Sequence, residues 1–389
     1  MKHKQHLNRF SKTFATLAAF VIAFPLMAAI LPEDRFDALV HSYDGGGMDI
    51  TGPSLMLRKL LGTSTSASAK YYVDSISSAS IDVITSASPY SEKRTEYSVG
   101  VDYLQDKAIL SFNYTDSEEN DYIAKTYSFG ISQDFFGDLT TLSMGYVRGK
   151  DQVMRMTKVD GVKMLDPNFG TKDIDRQNFQ LGLSQILSKN AVASLNYELI
   201  TDTGFLNNPY RQVRFADGSP SEFENYPNTR SSNAFAVRLK YYLPYRAAIS
   251  GEYRYFTDTW AINASNYSIG YTHTFNDKWI VDLRYGSYSQ TAASFYSDIF
   301  PSPGSQTYMA RDKELSTYDN QTIGFSVSYD LFEDGWKFID RGSINFAYDY
   351  MTFDYHDFRD ASATGYPLGQ EPLYSFYSNV MQFYLSVWY

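Results

Sequence analysis

The chain has 389 residues, a formal charge of -10 and no cysteine. Disulfides, thiol catalysis and cysteine-ligated zinc or iron–sulfur centres are thereby excluded, and an acidic chain is a poor partner for nucleic acid. Aromatics reach 17% of the residues, an unusual load for a soluble core in so hydroxyl-rich a chain, but one that strands facing lipid would carry.

Residues 1–29 place Lys2, Lys4, Arg9 and Lys12 ahead of an apolar run, with Ala28 and Ala29 where a peptidase would cut. This pattern predicts a secretory signal peptide, leaving 30–389 as the mature unit. Its removal takes the formal charge from -10 to -14, since the segment holds those four bases and no acid. Nothing after residue 30 has the length and apolarity of a membrane helix.

Period-two alternation dominates from there onward. Two short segments, near Phe36–Tyr43 and Leu55–Leu61, read as strands or as an inserted plug. The run YYVDSISSASIDVITSAS, Tyr71 to Ser88, begins as a strand and continues as a hydroxyl-rich segment holding the carboxylates Asp74 and Asp82. Tyr97, Val99, Val101 and Tyr103 then alternate with Ser98, Gly100 and Asp102; Phe235, Val237, Leu239 and Tyr241 with Ala236, Arg238 and Lys240; Ile323, Phe325 and Val327 with Gly324 and Ser326. One face is apolar and aromatic, the other small and polar, as expected between lipid and a wet lumen. Short turns at Gln105–Lys107, Phe136–Asp138, Ser188–Asn190, Leu243–Arg246 and Asn276–Lys278 alternate with long polar segments near 75–93, 149–173, 204–228, 291–314 and 354–372. The pattern predicts an all-β fold, a transmembrane antiparallel up-and-down barrel of about sixteen strands, or about fourteen if the first two form a plug. Trp279 and Trp388 are expected in an aromatic girdle at the short-turn rim and Trp260 at the opposite one. At the C-terminus Phe383, Leu385, Val387 and the terminal Tyr389 share one face, resembling the final-strand signal of the barrel assembly machinery.

The strings PEDRFDALVHSYDGGG, GPSLMLRK, YYVDSISSASIDVITSASPYSEKRTEY, GFLNNPYRQVR, KYYLPYRAAISGEYRYFTDTW and MARDKELSTY resemble the bacterial family called domain of unknown function 3570. The resemblance implies a Gram-negative outer-membrane barrel without an assigned activity, and an envelope redox setting with thioredoxin-like or flavin-linked partners. It transfers no catalytic residue.

Alternation places Arg238, Lys240, Arg254 and Arg284 on the inner wall with Glu198, Glu252 and Asp282, either as solute-facing charges or as cross-strand ion pairs. In a ring of sixteen, strand three stands opposite strand eleven, so Asp74 and Asp82 are expected to face Arg254 across a constriction, unless the segment after Ser75 is a purely structural insert. Asp44 to Gly47 with Asp49 read as a glycine turn rather than a cation site. Asp354, His356, Asp357 and Asp360 gather in a predicted external loop, where solvated acids are favoured over a divalent metal site. The mature chain has His41, His273 and His356, and none is expected to sit beside a nucleophile, so no enzymatic chemistry and no cofactor are predicted. The leading expectation is a porin-like outer-membrane channel passing small solutes or ions. A closed docking barrel for periplasmic redox proteins and an outer-membrane hydrolase are the alternatives.

Overall fold

The computed structural model describes residues 30–78, 90–160, 162–332 and 335–389. In chain order the strands are β1 (Arg35–Gly45), β2 (Met48–Leu60), β3 (Thr65–Ser78), β4 (Tyr90–Gln105), β5 (Ala108–Glu118), β6 (Tyr122–Phe135) and β7 (Thr140–Val153). The loop pair β8 (Met156–Val159) and β9 (Val162–Leu165) precedes β10 (Lys172–Ser188) and β11 (Ala191–Gly204), and the loop pair β12 (Gln212–Val213) and β13 (Glu222–Phe223) precedes β14 (Thr229–Leu243). The chain ends with β15 (Ala247–Asp258), β16 (Asn263–Phe275), β17 (Trp279–Gln290), β18 (Tyr318–Asp330), β19 (Arg341–Arg359) and β20 (Leu373–Trp388). All but the two loop pairs form one closed antiparallel barrel of sixteen strands. Its seam is β1 against β20, paired continuously from Arg35–Trp388 to Gly45–Ser378. The first two strands therefore belong to the ring, and the plug alternative with fourteen strands is set aside.

The outer face is apolar, as the alternation predicts. Ile269 is 66%, Ile323 62%, Phe129 53% and Phe383 52% exposed, a band that only hydrocarbon would solvate well. Between strands the short turns need unusual backbone. Gly46 and Gly47 link β1 to β2 at φ of 57° and 74°, the left-handed pair that a two-residue hairpin requires, and Asn276 and Asp277 of the three-residue β16–β17 turn stand at 49° and 60°. The glycine run is a turn.

Several boundaries differ from the sequence reading. Ser75–Ser78 and the residues from Tyr90 on belong to β3 and β4, Gly149–Val153 to β7, Lys172–Asp173 to β10 and Asp354–Arg359 to β19, so these loops are shorter than predicted. The connection after β17 instead runs on to Thr317. Strands that continue beyond the apolar band meet water on both faces, so the alternation fades while the hydrogen-bond ladder persists. Among the described residues no helix is long and apolar enough to cross a membrane, which says nothing of a barrel. The expected signal peptide lies outside the described residues.

Two tryptophans are not where a girdle would put them. Trp388 shares the lumen-facing parity of Ser386 and lies between the guanidinium groups of Arg35 and Arg341, 5.4 and 4.3 Å from its ring. Trp260 is 5% exposed and sits inside an apolar core. Trp279, 44% exposed at the start of β17, fits the expected rim position.

Candidate functional site: the lumen wall and the packed mouth

The inner wall neutralises its own charges. Arg238 Nε donates to Glu252 at 2.6 Å, Arg254 Nη2 to Glu198 at 3.2 Å and Arg284 Nε to Asp349 at 2.8 Å. Asp282 accepts from Thr272 and from Ser326 at 3.3 Å, and Lys240 stands 5.5 Å from the centroid of the Tyr242 ring. Two of the three ion pairs skip a strand. Arg284 of β17 and Asp349 of β19 both lie across from Gly324 of β18, where a Cβ would come within 2.0 Å of Asp349 Oδ1. Arg254 and Glu198 likewise reach over β14, across from Ala236 and Ala234. A small inward residue lets the flanking side chains meet over it.

The same device governs Asp74. His41 of β1 and Asp74 of β3 flank Gly52 of β2, and His41 Nε2 lies 2.7 Å from Asp74 Oδ1. Arg94 Nη2 takes the other carboxylate oxygen at 3.1 Å. The His41 ring is stacked on Tyr72 with centroids 5.1 Å apart, and the Tyr72 hydroxyl is 3.2 Å from Nε2. Asp74 is thus bound into the wall, and it does not reach across a constriction to Arg254. β3 and β15 are the third and eleventh strands of the ring, but His41 and Arg94 hold the carboxylate on its own side. Asp82 lies outside the described residues. His41 is brought to the Asp74 carboxylate by Gly52. His273 stacks on Phe275 at 4.1 Å, and His356 Nε2 lies 2.9 Å from Asp319.

The acidic residues at the end of β19, read as solvated rather than as a metal site, turn to separate partners. His356 turns to Asp319, Asp357 accepts from the Thr317 amide at 2.8 Å and Asp360 from the Ser362 amide at 2.9 Å. Asp354 lies across from Asp319. Among the described residues, the acidic ligand atoms that do converge, within 4.8 Å, are those of Glu92, Glu119 and Asp121. Glu119, in the β5–β6 connection, is pushed up to about 8 by burial, with the neighbouring Glu92 carboxylate adding to the effect. Folded protein then keeps a proton that an exposed glutamate loses, so stability falls as pH rises between about 4.5 and about 8. Glu119→Gln is expected to flatten urea unfolding midpoints across that window in detergent, and an unchanged slope would rule this origin out.

What the sequence reading missed is the cap. The segments near 204–228, 291–314 and 354–372 were expected as long polar loops, yet 205–228 and 291–317 pack into shared cores at the long-loop mouth and 360–372 is latched to them through Glu371. Val213, Phe215, Phe300 and Met309 form one core, and Tyr226, Trp260, Ile262, Phe295 and Leu315 another. Trp260 Nε1 donates to the Thr229 carbonyl at 3.0 Å, and its ring meets Phe295 edge-on at 5.1 Å. Arginines latch the loops to one another. Arg214 bonds Asp298 and Glu371, Arg211 bonds Asp312, and Arg311 lies 2.9 Å from Asp298 and 4.5 Å from the Phe358 ring. Burial pushes the Glu371 carboxyl up, but the Arg214 bonds more than offset this and hold it below the usual range. The available signal was the recurrence of large apolar residues with arginine in segments that otherwise read as polar. GFLNNPYRQVR and MARDKELSTY both contribute to this cap.

A family model described as "Protein of unknown function (DUF3570)" matches residues 49–382. The chain belongs to that family. A search of curated proteins returns no match. Among solved structures, this DUF3570 member is similar to "Bacterial polysaccharide outer membrane secretin", at 7% identity and a TM-score of 0.49, covering 92% of this chain and 100% of that one. It is also similar to the siderophore receptor PirA from Pseudomonas aeruginosa, at 11% identity and a TM-score of 0.41, covering 92% and 63%. The outer membrane protein opdK from Pseudomonas aeruginosa matches at 8% identity and a TM-score of 0.42, covering 92% and 99%.

Proposed function

We propose that this DUF3570 barrel is an outer-membrane channel for small solutes or ions, with the long loops facing outward and the short turns facing the periplasm. One observation carries the reading: a closed ring of sixteen strands with a polar, charge-paired inner wall, the strand number at which a barrel encloses water rather than a solid core of side chains. Because Arg238, Arg254 and Arg284 each bond a carboxylate, the wall supports weak ion selectivity rather than a strong fixed field. The cap would narrow the outer mouth and sort solutes by size.

Planar bilayers test this with purified full-length protein. Discrete conductance steps with modest cation-to-anion preference are the expected result, and Arg254→Ala, which releases Glu198, should move the preference toward cations. A flat record at all voltages would reject the channel. That outcome would favour the closed barrel docked to periplasmic redox partners, a reading that the tight packing of the cap supports. His41 carries no nucleophile in this reading: the hydroxyl beside it is that of Tyr72, whose ring stacks on the imidazole and buttresses it.

A further inference from the structure

On the outer wall, β4 to β7 carry a shallow apolar groove of about 550 Å³, walled by Val101, Phe112, Phe129, Ile131 and Met144. The backbone of Gly130 and Gly145, which lie across from each other on β6 and β7, forms part of its floor. Following the same outward face toward the long-loop rim, Tyr127 and then Lys125 succeed Phe129 on β6, while Tyr146, Arg148 and Lys150 succeed Met144 on β7. Same-face residues are spaced by roughly 6.7 Å along a strand, so the lysines stand about two such steps above the aromatic wall of the groove.

Lys125 and Lys150 are both exposed and directly opposite each other, an arrangement of like charges that a strand pair ordinarily avoids. The carboxylates beside them are engaged elsewhere. Asp116, across from Lys125, accepts from the Tyr114 hydroxyl at 2.8 Å. Asp175, across from Lys150, is taken by Arg148 at 2.6 Å. Among the described residues neither lysine forms an ion pair. Two ammonium groups thus face outward at the edge of the apolar band, above tyrosines and a hydrocarbon-lined trench.

We propose that this face binds a phosphate-bearing lipid, its phosphate bridged by Lys125 and Lys150 and one acyl chain laid in the groove. The inference rests on the reading of the outer wall as lipid-facing, but not on conduction. An anionic head group cancels the repulsion between the lysines, and a chain covers the apolar trench. Neither half alone would select a ligand, and their alignment on one pair of strands makes them a single site.

Native mass spectrometry of the full-length protein in detergent tests the proposal with three probes: phosphatidic acid, phosphatidylcholine with the same acyl chains, and inorganic phosphate. Phosphatidic acid is expected to be retained about tenfold more than phosphatidylcholine, and Lys125→Gln with Lys150→Gln should abolish that preference. Met144→Trp, which fills the trench, should weaken retention while leaving both lysines in place. The unboiled gel mobility of each variant reports folding, and Lys125→Arg with Lys150→Arg should restore binding. Equal retention of the two lipids, retention by the double Gln variant, inorganic phosphate competing as well as the lipid, or a second copy of the chain covering the groove would each overturn the assignment.

Discussion

Replacing Arg214 with alanine is expected to unlatch the mouth of the barrel. The guanidinium bonds both Asp298 and Glu371, which belong to two different connections, and both carboxylates are buried. Arg311 remains beside Asp298, whereas Glu371 is left with backbone amides of its own loop, the Gly369 amide at 2.8 Å among them. Removing one partner of a buried ion pair costs about 3–5 kcal/mol, more than a few packed loops can absorb without opening. Limited proteolysis should therefore cut within 291–317 in the variant and not in the parent, and single-channel conductance should rise. The barrel itself should keep its unboiled gel mobility, because the ladders of β1 to β20 do not depend on this residue. Protection of the loops equal to that of the parent would show that the apolar cores, not the arginine, hold the cap. Arg214→Lys should fall between the two, since an ammonium cannot present the planar fork that serves two carboxylates.

Gly52→Ala should weaken the barrel far more than a surface glycine change would suggest. A Cβ at Gly52 would lie 1.7 Å from the Val73 carbonyl oxygen, so backbone must move, and the His41–Asp74 contact passes over the same point. Overpacking of this kind costs about 1–3 kcal/mol. Gly251→Ala is the control, because nothing stands within 4 Å of a Cβ there. The temperature at which the folded band gives way to the unfolded band on a gel should drop for Gly52→Ala and stay put for Gly251→Ala. Matching temperatures would mean that β2 relaxes freely around the new methyl group.

These cases mark what could be read from residues alone. Strand number, ring order and the lipid face follow from alternation, because hydrocarbon outside and water inside impose opposite demands on neighbouring residues. Asp74 lies on β3, the third strand of the ring, and Arg254 on β15, the eleventh. Their separation could not be read, because it depends on Gly52 bringing His41 within reach and on Arg94 standing on the next strand. Alternation assigns a side chain to a face but not to a partner. Trp388 failed as a girdle residue for the opposite reason: its parity was legible, and its proximity to the terminal turn outweighed it. The cap was illegible because its residues pack without any period, and its cores form only where 205–228 and 291–317 meet each other and the β15–β16 connection.

The 205–228 connection has reach as well as packing. Leaving between β11 and β14, it touches the β5–β6 connection through Tyr210 and Asp121, meets the Met156 amide at 2.8 Å beyond β7, and grips the β19–β20 connection through Arg214 and Glu371. A closed ribbon of strands resists being lengthened around its circumference, yet each strand-to-strand hinge can flex, so an unbraced ring flattens into an oval when squeezed from the side. A tie fixed at four stations around the rim removes that freedom, as spokes keep a wheel true. Lateral pressure from a crowded bilayer would then be carried across the mouth by this one segment, leaving the opposite rim, with its short turns, as the end that yields.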